Sequence, residues 1–214
     1  IYSQEMINRK VNLTKEILGN NIFFSVKSNS NQAVLKLMQN LGLGADVVSI
    51  GELKRSLTAG FAPKKIIFEG VGKSKDDLLY AIQKNIHLIN TESLEEIKLL
   101  EKLAKEKKKK INIGVRLNPN IDGDTINKIS TGKKTDKFGI EIDDINSIIS
   151  LITNSPSLNL ISISCHIGSQ ISKIDAYKNT FAEMKKTADK FVNAGIQIKH
   201  VDLGGGFHVK YKDG

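Results

Sequence analysis

The stretch FFSVKSNSNQAVLKLMQNLGLGADVVSIGELKRSLTAG, residues 23–60, decides the fold class. It opens with an apolar, β-rich run, continues into the helical pattern NQAVLKLMQNLG, returns to an apolar run in ADVVSI and ends in a second helical pattern, IGELKRSLTAG. A strand, a helix, a strand and a helix in this order predict parallel strands joined by crossover helices.

The same alternation continues along the chain. Besides NIFFSV and ADVVSI, five apolar runs predict strands, namely KIIFEG, IHLIN, INIGVRLN, LISISCHIG and IKHVDLGGG. Two further helical patterns are KDDLLYAIQKN and ESLEEIKLLEKLAKE, the second with acidic residues near its start and lysines near its end, as the helix dipole prefers. The fold class is therefore α/β, with helices covering a parallel sheet.

A closed (β/α)₈ barrel of the TIM type has eight strands and typically about 250 residues. With seven predicted strands in 214 residues, we interpret the chain as such a barrel with about seven of its eight βα units. No linker or repeat divides the chain, and it begins without Met. We therefore expect one domain over residues 1–214, incomplete at both ends.

Composition narrows the class of protein. Hydrophobic residues are 40% and charged residues 26%, and no apolar run approaches the roughly 20 residues that span a bilayer. The sequence shows no secretory signal, and its single cysteine, Cys165, cannot form an internal disulfide, so we expect a cytoplasmic protein outside the membrane.

The net charge of +9 raises the question of nucleic-acid binding. The lysines are scattered, and the densest run, KEKKKK at Lys105 to Lys110, ends a helical pattern without aromatic neighbours. We expect a solvated, lysine-rich surface and no nucleic-acid partner.

In a parallel barrel the functional face lies where strands end and βα loops begin. The long polar segment from Asn120 to Lys137 is a predicted functional loop, because loops of this length are uncommon in compact domains. The polar and glycine residues at predicted strand ends are Lys27, Asp46 to Ser49, Glu69 and Gly70, Asn90, Arg116 to Asn118, His166 to Gln170, and Asp202 to Gly206.

Lys27 follows an apolar strand directly. A partly desolvated amine near other cations is a nucleophile toward carbonyl groups, which points to Schiff-base chemistry. The alternative is a lysine whose ammonium reaches bulk water from an apolar stem.

DLGGGF, residues 202–207, also follows a strand, and its glycines let backbone N–H groups approach an anion such as a phosphate. The alternative is a tight turn without a ligand. In CHIGSQ, His166 is placed to lie flat on a planar ligand and Ser169 to reach an anionic group, whereas a satisfied core histidine is the alternative.

Other cofactor classes have little support. The four histidines, His87, His166, His200 and His208, form no HExxH pattern, so we expect no metal site. The sequence also lacks a G-x-x-x-x-G-K-[ST] loop, so a bound phosphate would belong to something other than a nucleotide.

Taken together, these motifs resemble the diaminopimelate decarboxylases, a pyridoxal-phosphate-dependent family that shares the alanine-racemase-type barrel with ornithine and arginine decarboxylases. The resemblance covers almost the whole chain. It rests on FFSVKSNSN, GLGADVVSIGELKRSLTAGF, HLINTESLEEI, VRLNPNID, STGKKTDKFGI, CHIGSQI and VDLGGGF, which occur in the family's order.

The resemblance implies pyridoxal 5'-phosphate as the cofactor, with Lys27 as the lysine of the internal aldimine and His166 stacked on the pyridine ring. By the same comparison, the phosphate would be held by Ser169, Gly204, Gly205 and Gly206. Asp46, Glu52 and Arg116 would lie near the imine and the ring hydroxyl.

The chain also departs from the family's pattern. Phe207 and His208 stand where many diaminopimelate enzymes have smaller residues, and Phe207 resembles the ornithine branch. The family's Glu-Pro-Gly-Arg segment, its later cysteine and tyrosine that act across a homodimer, and its C-terminal β-domain are not in these 214 residues. The fragment alone is expected to be inactive.

The function implied by the resemblance is decarboxylation of meso-2,6-diaminopimelate to L-lysine and CO₂ by a homodimer with a shared active site. GSQ after His166 and STG at Ser130 to Gly132 favour this substrate. The alternatives are decarboxylation of another basic amino acid, of the ornithine or arginine type, and a non-catalytic barrel protein that binds pyridoxal phosphate.

Overall fold

A computed structural model of the protein describes residues 2–119 and 138–209. The predicted loop Asn120 to Lys137, with the STG of Ser130 to Gly132, lies outside the described residues. The chain forms two compact units, Ile1–Ile89 and Asn90–Gly214. The expectation of a single domain stays a prediction.

The first unit alternates helices and parallel strands. The strands pair in the order β1, β2, β3, β4, each parallel to the next. Its elements are α1 (Gln4–Leu18), β1 (Phe23–Ser25), α2 (Gln32–Asn40), β2 (Gly44–Val47), α3 (Ile50–Thr58), β3 (Ile66–Phe68), α4 (Lys75–Lys84) and β4 (Leu88–Thr91), with one-turn 3₁₀ helices at Val26–Ser28 and Pro63–Lys65.

The second unit contains the end of β4 and repeats the alternation. β7 pairs in parallel with β5 on one side and with β8 on the other, and the short β6 pairs with β5. Its elements are α5 (Leu94–Glu106), β5 (Ile111–Asn118), β6 (Ile140–Glu141), α6 (Ile145–Thr153), β7 (Leu158–Ser164), α7 (Ile174–Asn193) and β8 (His200–Asp202), with a 3₁₀ helix at Ile142–Asp144.

The core consists of the apolar runs that predicted the strands and of one face of each helix from α2 to α7, whereas α1 has no buried residue. All residues of β3 and of β4 are buried. In α5 the buried apolar positions Ile97, Leu100, Leu103 and Ala104 recur at three- and four-residue spacing, as expected for a helix that covers a sheet. The predicted alternation of parallel strands and helices is confirmed in both units.

Element boundaries differ from the predictions for local reasons. β1 ends at Ser25, because Val26–Ser28 forms a 3₁₀ turn. Ile50, predicted in a strand and a helix alike, belongs to α3, because the Ser49 hydroxyl accepts a hydrogen bond from the Glu52 N–H and starts the helix there. The two-residue strand β6 is too short to leave an apolar run in the sequence.

The lysine run behaves as a surface. Five of the six residues from Lys105 to Lys110 are exposed, and Lys109 is half-buried. In the part of the chain that the structure describes, no helix is both long enough and apolar enough to span a bilayer.

Candidate functional site

Lys27 lies in the 3₁₀ turn that follows β1. The turn is fixed by the Ser28 hydroxyl, which donates to the Ser25 carbonyl at 2.7 Å, and by the Asn29 N–H, which donates to the Val26 carbonyl at 3.0 Å. Val26 is fully buried, whereas the next residue of the turn, Lys27, is exposed. The expected partial burial of Lys27 is wrong in the described residues, and its role as nucleophile stays a prediction.

Asp46 lies beside the start of this turn. Parallel pairing of β1 with β2 places Ser25 opposite Asp46, and the Ser25 hydroxyl donates to Asp46 Oδ2 at 2.9 Å. The structure therefore brings the half-buried Asp46 carboxylate to the strand end from which the Lys27 turn departs.

Glu52 has a local structural contact. Its Oε2 accepts a hydrogen bond from the Val48 N–H at 2.9 Å, while the Ser49 hydroxyl accepts from the Glu52 N–H at 3.2 Å. Ser-x-x-Glu is the signature of a helix cap, and these contacts fix the start of α3. The assignment of Glu52 to the cofactor stays a prediction.

In the second unit, His166 packs directly against the glycine turn, residues 204–206. Parallel pairing of β7 with β8 sets Ser164 opposite Asp202, so the segments that follow the two strands lie side by side. Gly204 has φ +73°, and a Cβ there would lie 2.6 Å from His166 Nδ1. Only glycine permits this approach of the imidazole to the turn.

The turn also approaches the segment of Ser169. Gly206 has φ +82°, and a Cβ there would lie 2.0 Å from the Gly168 carbonyl oxygen and 3.3 Å from Ser169 Cα. The Gly206 carbonyl accepts a hydrogen bond from the Ile171 N–H at 2.9 Å. The structure therefore brings together four of the predicted residues, His166, Ser169, Gly204 and Gly206.

The donors of this cluster are unequally used. The Gly204 N–H donates to Asp202 Oδ1 at 2.7 Å, so it is not available to a ligand. Within residues 2–119 and 138–209, the N–H groups of Gly205 and Gly206 and the exposed hydroxyl of Ser169 have no hydrogen-bond partner. Three unused donors around a glycine turn fit an oxyanion such as a phosphate.

Arg116, near the end of β5, forms an ion pair that the sequence analysis missed. Its Nη1 lies 3.0 Å from Glu92 Oε1, and the two side chains are 14% and 6% exposed, respectively. The guanidinium also lies over the Phe138 ring, 5.2 Å from the ring centroid. The sequence did contain a signal for Glu92 as a site residue, because this acidic residue directly follows the strand β4.

Two titratable side chains adjoin the same cluster, the half-buried Asp202 and the buried Cys165. Burial raises the pKa of the Asp202 carboxyl, opposed by the Gly204 N–H and by the charge of Arg116. Burial, and then the charge of Asp202, raise the pKa of the Cys165 thiol to about 12, with Arg116 opposing them. Cys165 is therefore a neutral packing residue at neutral pH and not a nucleophile.

The chemistry of this donor set fits pyridoxal phosphate. The N–H groups of Gly205 and Gly206 with the Ser169 hydroxyl suit a dianionic phosphate, and the His166 imidazole is a planar group against the same turn. Among the described residues, no group of three or more His, Cys, Asp or Glu side chains is arranged to hold a metal ion.

Several curated relatives share one name. The chain is 41% identical over 192 residues to the diaminopimelate decarboxylase of Pseudomonas aeruginosa, which covers 90% of this chain and 46% of that protein. It is 40% identical to the enzyme of the same name from Campylobacter jejuni, over 99% of this chain and 54% of that protein. The chain spans about half the length of the curated relatives it matches.

Solved structures share the fold. The structure of Helicobacter pylori diaminopimelate decarboxylase complexed with L-lysine superposes with a TM-score of 0.94 at 35% identity, over 100% of this chain and 55% of that one. The arginine decarboxylase of Paramecium bursaria Chlorella virus, at 22% identity and a TM-score of 0.84, shares the fold alone. The predicted fold class, α/β of the TIM-barrel type, is confirmed.

The family model described as "Pyridoxal-dependent decarboxylase, pyridoxal binding domain" matches residues 4–214. This match covers nearly the whole chain, and it confirms the cofactor prediction, since pyridoxal phosphate is the group for which the domain is named. The chain belongs to the pyridoxal-dependent decarboxylases, and it corresponds to their pyridoxal binding domain.

Proposed function

We propose that the intact protein decarboxylates meso-2,6-diaminopimelate to L-lysine and CO₂ with pyridoxal 5'-phosphate. One structural observation carries the proposal: beside the imidazole of His166 lie donors of Gly205, Gly206 and Ser169 that have no partner in the part of the chain that the structure describes. The substrate is supported by relatives named diaminopimelate decarboxylase at up to 41% identity, and by the GSQ that follows the histidine.

The residues of the second unit bind and orient the cofactor in this proposal. When bound, pyridoxal phosphate supplies the electron sink for the electron pair that the departing carboxylate leaves behind. The N–H groups of Gly205 and Gly206 and the Ser169 hydroxyl would hold its phosphate, and His166 would hold the plane of its ring. Arg116 supplies a fixed positive charge, which Glu92 holds in place.

In the first unit, Lys27 is the proposed point of covalent attachment. Its exposed Nζ is open to attack on an aldehyde, and the rigid turn from Ser25 to Asn29 restricts where the amine can reach. Asp46, held by the Ser25 hydroxyl, places a carboxylate on the neighbouring strand opposite Ser25, two residues before Lys27.

Replacement of Lys27 by Ala tests the proposal in the intact protein. We expect loss of the absorption band of the lysine-bound cofactor and loss of CO₂ release from diaminopimelate. Lys65→Ala is the matched control, because Lys65 is also an exposed lysine in a one-turn 3₁₀ helix of the first unit. If the band and the CO₂ release both persist in Lys27→Ala, the assigned nucleophile is wrong.

Decarboxylation of ornithine or arginine is the second candidate, because Phe207 resembles the ornithine branch. A panel of diaminopimelate, ornithine, arginine and lysine separates the candidates by CO₂ release, since only diaminopimelate carries a second, distal carboxylate. Turnover of ornithine above that of diaminopimelate would reverse the substrate assignment.

We further propose a cytoplasmic homodimer with a shared active site, on the strength of the family resemblance. Sedimentation of the intact protein should give twice the monomer mass. Cell fractionation should recover the protein with soluble enzymes.

A further inference from the structure

Tyr177, near the start of α7, contacts the glycine turn, residues 204–206. Its hydroxyl donates to the Gly205 carbonyl at 2.9 Å. The ring packs against a buried apolar cluster made of Ile167, Ile171 and Ala176. Burial raises the pKa of the Tyr177 hydroxyl, so the group stays protonated and remains a donor at neutral pH.

Phe207 covers the outer side of the same contact. Its ring stacks on Tyr177 with the centroids 5.3 Å apart and the planes at 25°, although Phe207 is otherwise 59% exposed. An isolated parallel bridge also joins Ile171 to Phe207. The aromatic residue that departs from the diaminopimelate pattern therefore has a structural partner, and that partner contacts the glycine turn.

The hydrogen bond from Tyr177 to the Gly205 carbonyl also orients the N–H group of Gly206. In a planar trans peptide the C=O of one residue and the N–H of the next point in opposite directions. With the Gly205 carbonyl held by Tyr177, the Gly206 N–H points away from Tyr177. The Gly206 carbonyl is itself held by the Ile171 N–H at 2.9 Å, so the peptide units on both sides of Gly206 are fixed.

We propose that Tyr177 is a positioning residue that aims the Gly206 N–H at the phosphate of the cofactor. Without this hydrogen bond, the peptide between Gly205 and Gly206 can rotate, because glycine permits both signs of φ at little cost. The proposal rests on the proposed function for the identity of the anion. The orientation of the N–H group rests on the geometry alone.

Tyr177→Phe removes the hydroxyl and keeps the ring that stacks on Phe207. Tyr80→Phe is the matched control, because Tyr80 is also a half-buried helical tyrosine, and its hydroxyl makes no hydrogen bond within the described residues. The apparent Kd values for pyridoxal phosphate and for pyridoxal, which lacks the phosphate, are measured by absorbance titration of the intact protein.

We expect Tyr177→Phe to weaken pyridoxal phosphate binding by about two- to tenfold, the cost of one net hydrogen bond, and to leave pyridoxal binding unchanged. Tyr80→Phe should change neither. Equal weakening for both ligands would assign Tyr177 a merely structural role, and an unchanged pyridoxal phosphate Kd would show that the hydroxyl orients nothing. Either result overturns the proposal.

A second readout does not depend on the cofactor. Titration with inorganic phosphate should shift the NMR resonance of the Gly206 amide in the wild type, and by less in Tyr177→Phe. A shift of equal size in both proteins would overturn the role of Tyr177. Failure of the proposed function appears elsewhere, as the absence of CO₂ release when the wild-type intact protein is given diaminopimelate and pyridoxal phosphate.

Discussion

The ion pair between Glu92 and Arg116 gives the sharpest prediction for stability. Glu92→Gln keeps the volume of the side chain and removes its charge, so the Arg116 guanidinium loses its charged partner at 3.0 Å and retains at most a neutral acceptor there. The side chains are only 6% and 14% exposed, so water compensates little for the loss. Breaking a buried pair from one side typically costs about 3–5 kcal/mol.

Two features of the site reduce this figure. Glu92 Oε2 is buried and accepts no hydrogen bond within the described residues, so the wild type already bears part of the desolvation cost. Arg116 also keeps its contact with the Phe138 ring after the change. We therefore expect Glu92→Gln to lower the free energy of unfolding by about 2–4 kcal/mol.

Urea unfolding followed by circular dichroism measures the change, with an unchanged m-value as evidence that the midpoint reports stability. Asp189→Asn is the matched control, because the pair of Lys185 and Asp189 lies at a similar distance, 3.2 Å, with side chains 66% and 60% exposed. Such an exposed pair is worth about 0–1 kcal/mol.

A double variant tests the reason for the effect. If an unpaired buried charge causes the loss, Glu92→Leu combined with Arg116→Met should cost less than Arg116→Met alone, because no charge is then left buried. The reasoning is refuted if Glu92→Gln costs no more than Asp189→Asn, or if the costs of the two apolar substitutions simply add.

Two further predictions concern the glycine turn. Gly206→Ala should cost about 1–3 kcal/mol in stability and weaken binding of pyridoxal phosphate. The reason is that the new Cβ would lie 2.0 Å from the Gly168 carbonyl oxygen, at a backbone φ of +82°. By contrast, the Cβ of Gly205→Ala would meet no atom within 4 Å. Thermal melts and cofactor titration check this pair, and equal effects would contradict it. Burial raises the pKa of the Asp202 carboxyl in the folded state, so this carboxyl loses its proton more readily in the unfolded chain. The free energy of unfolding therefore falls as the pH rises from the unfolded pKa through the raised folded pKa. Asp202→Asn can still accept the hydrogen bond from the Gly204 N–H, and it should therefore gain stability relative to the wild type across that pH range. Urea unfolding at several pH values measures this. A difference in free energy of unfolding that does not change with pH would contradict the raised pKa of Asp202.

The sequence predicted most of the sheet because buried strands leave continuous apolar runs. All seven predicted runs overlap a strand of the structure, from Phe23–Ser25 to His200–Asp202. The ends were less accurate, because a strand ends where a local hydrogen bond begins the next element. At Ser49 that bond is a side-chain cap, and at Val26 it is a 3₁₀ turn.

The site was predicted unevenly for a related reason. Gly204 and Gly206 are visible in the sequence as glycines, but their different uses are not. The Gly204 N–H donates to Asp202, whereas the Gly206 N–H has no partner among residues 2–119 and 138–209, and Gly206 approaches Gly168. The contact of Tyr177 with Gly205 joins residues that are 28 positions apart, and hydrophobic periodicity along the chain does not predict such a pair.

The Ser-x-x-Glu caps of α3 and α5 show why Glu52 and Glu92 have different roles. In both βα turns a serine caps the helix, the third helical residue is a glutamate, and that glutamate accepts from the N–H of the residue before the serine. Glu52 is the capping glutamate of α3, whereas the corresponding residue of α5 is Glu96.

Glu92 therefore corresponds in position to Val48, the residue before the cap. Its backbone N–H is bound in the same way, at 2.8 Å compared with 2.9 Å, and the cap leaves its side chain unconstrained. The repeated cap fixes the backbone of both turns, so the choice of glutamate over valine at this one position is what adds a carboxylate beside Arg116. An acid before the capping serine is thus a better candidate for the site than the acid three residues after it, whose carboxylate the helix start already occupies.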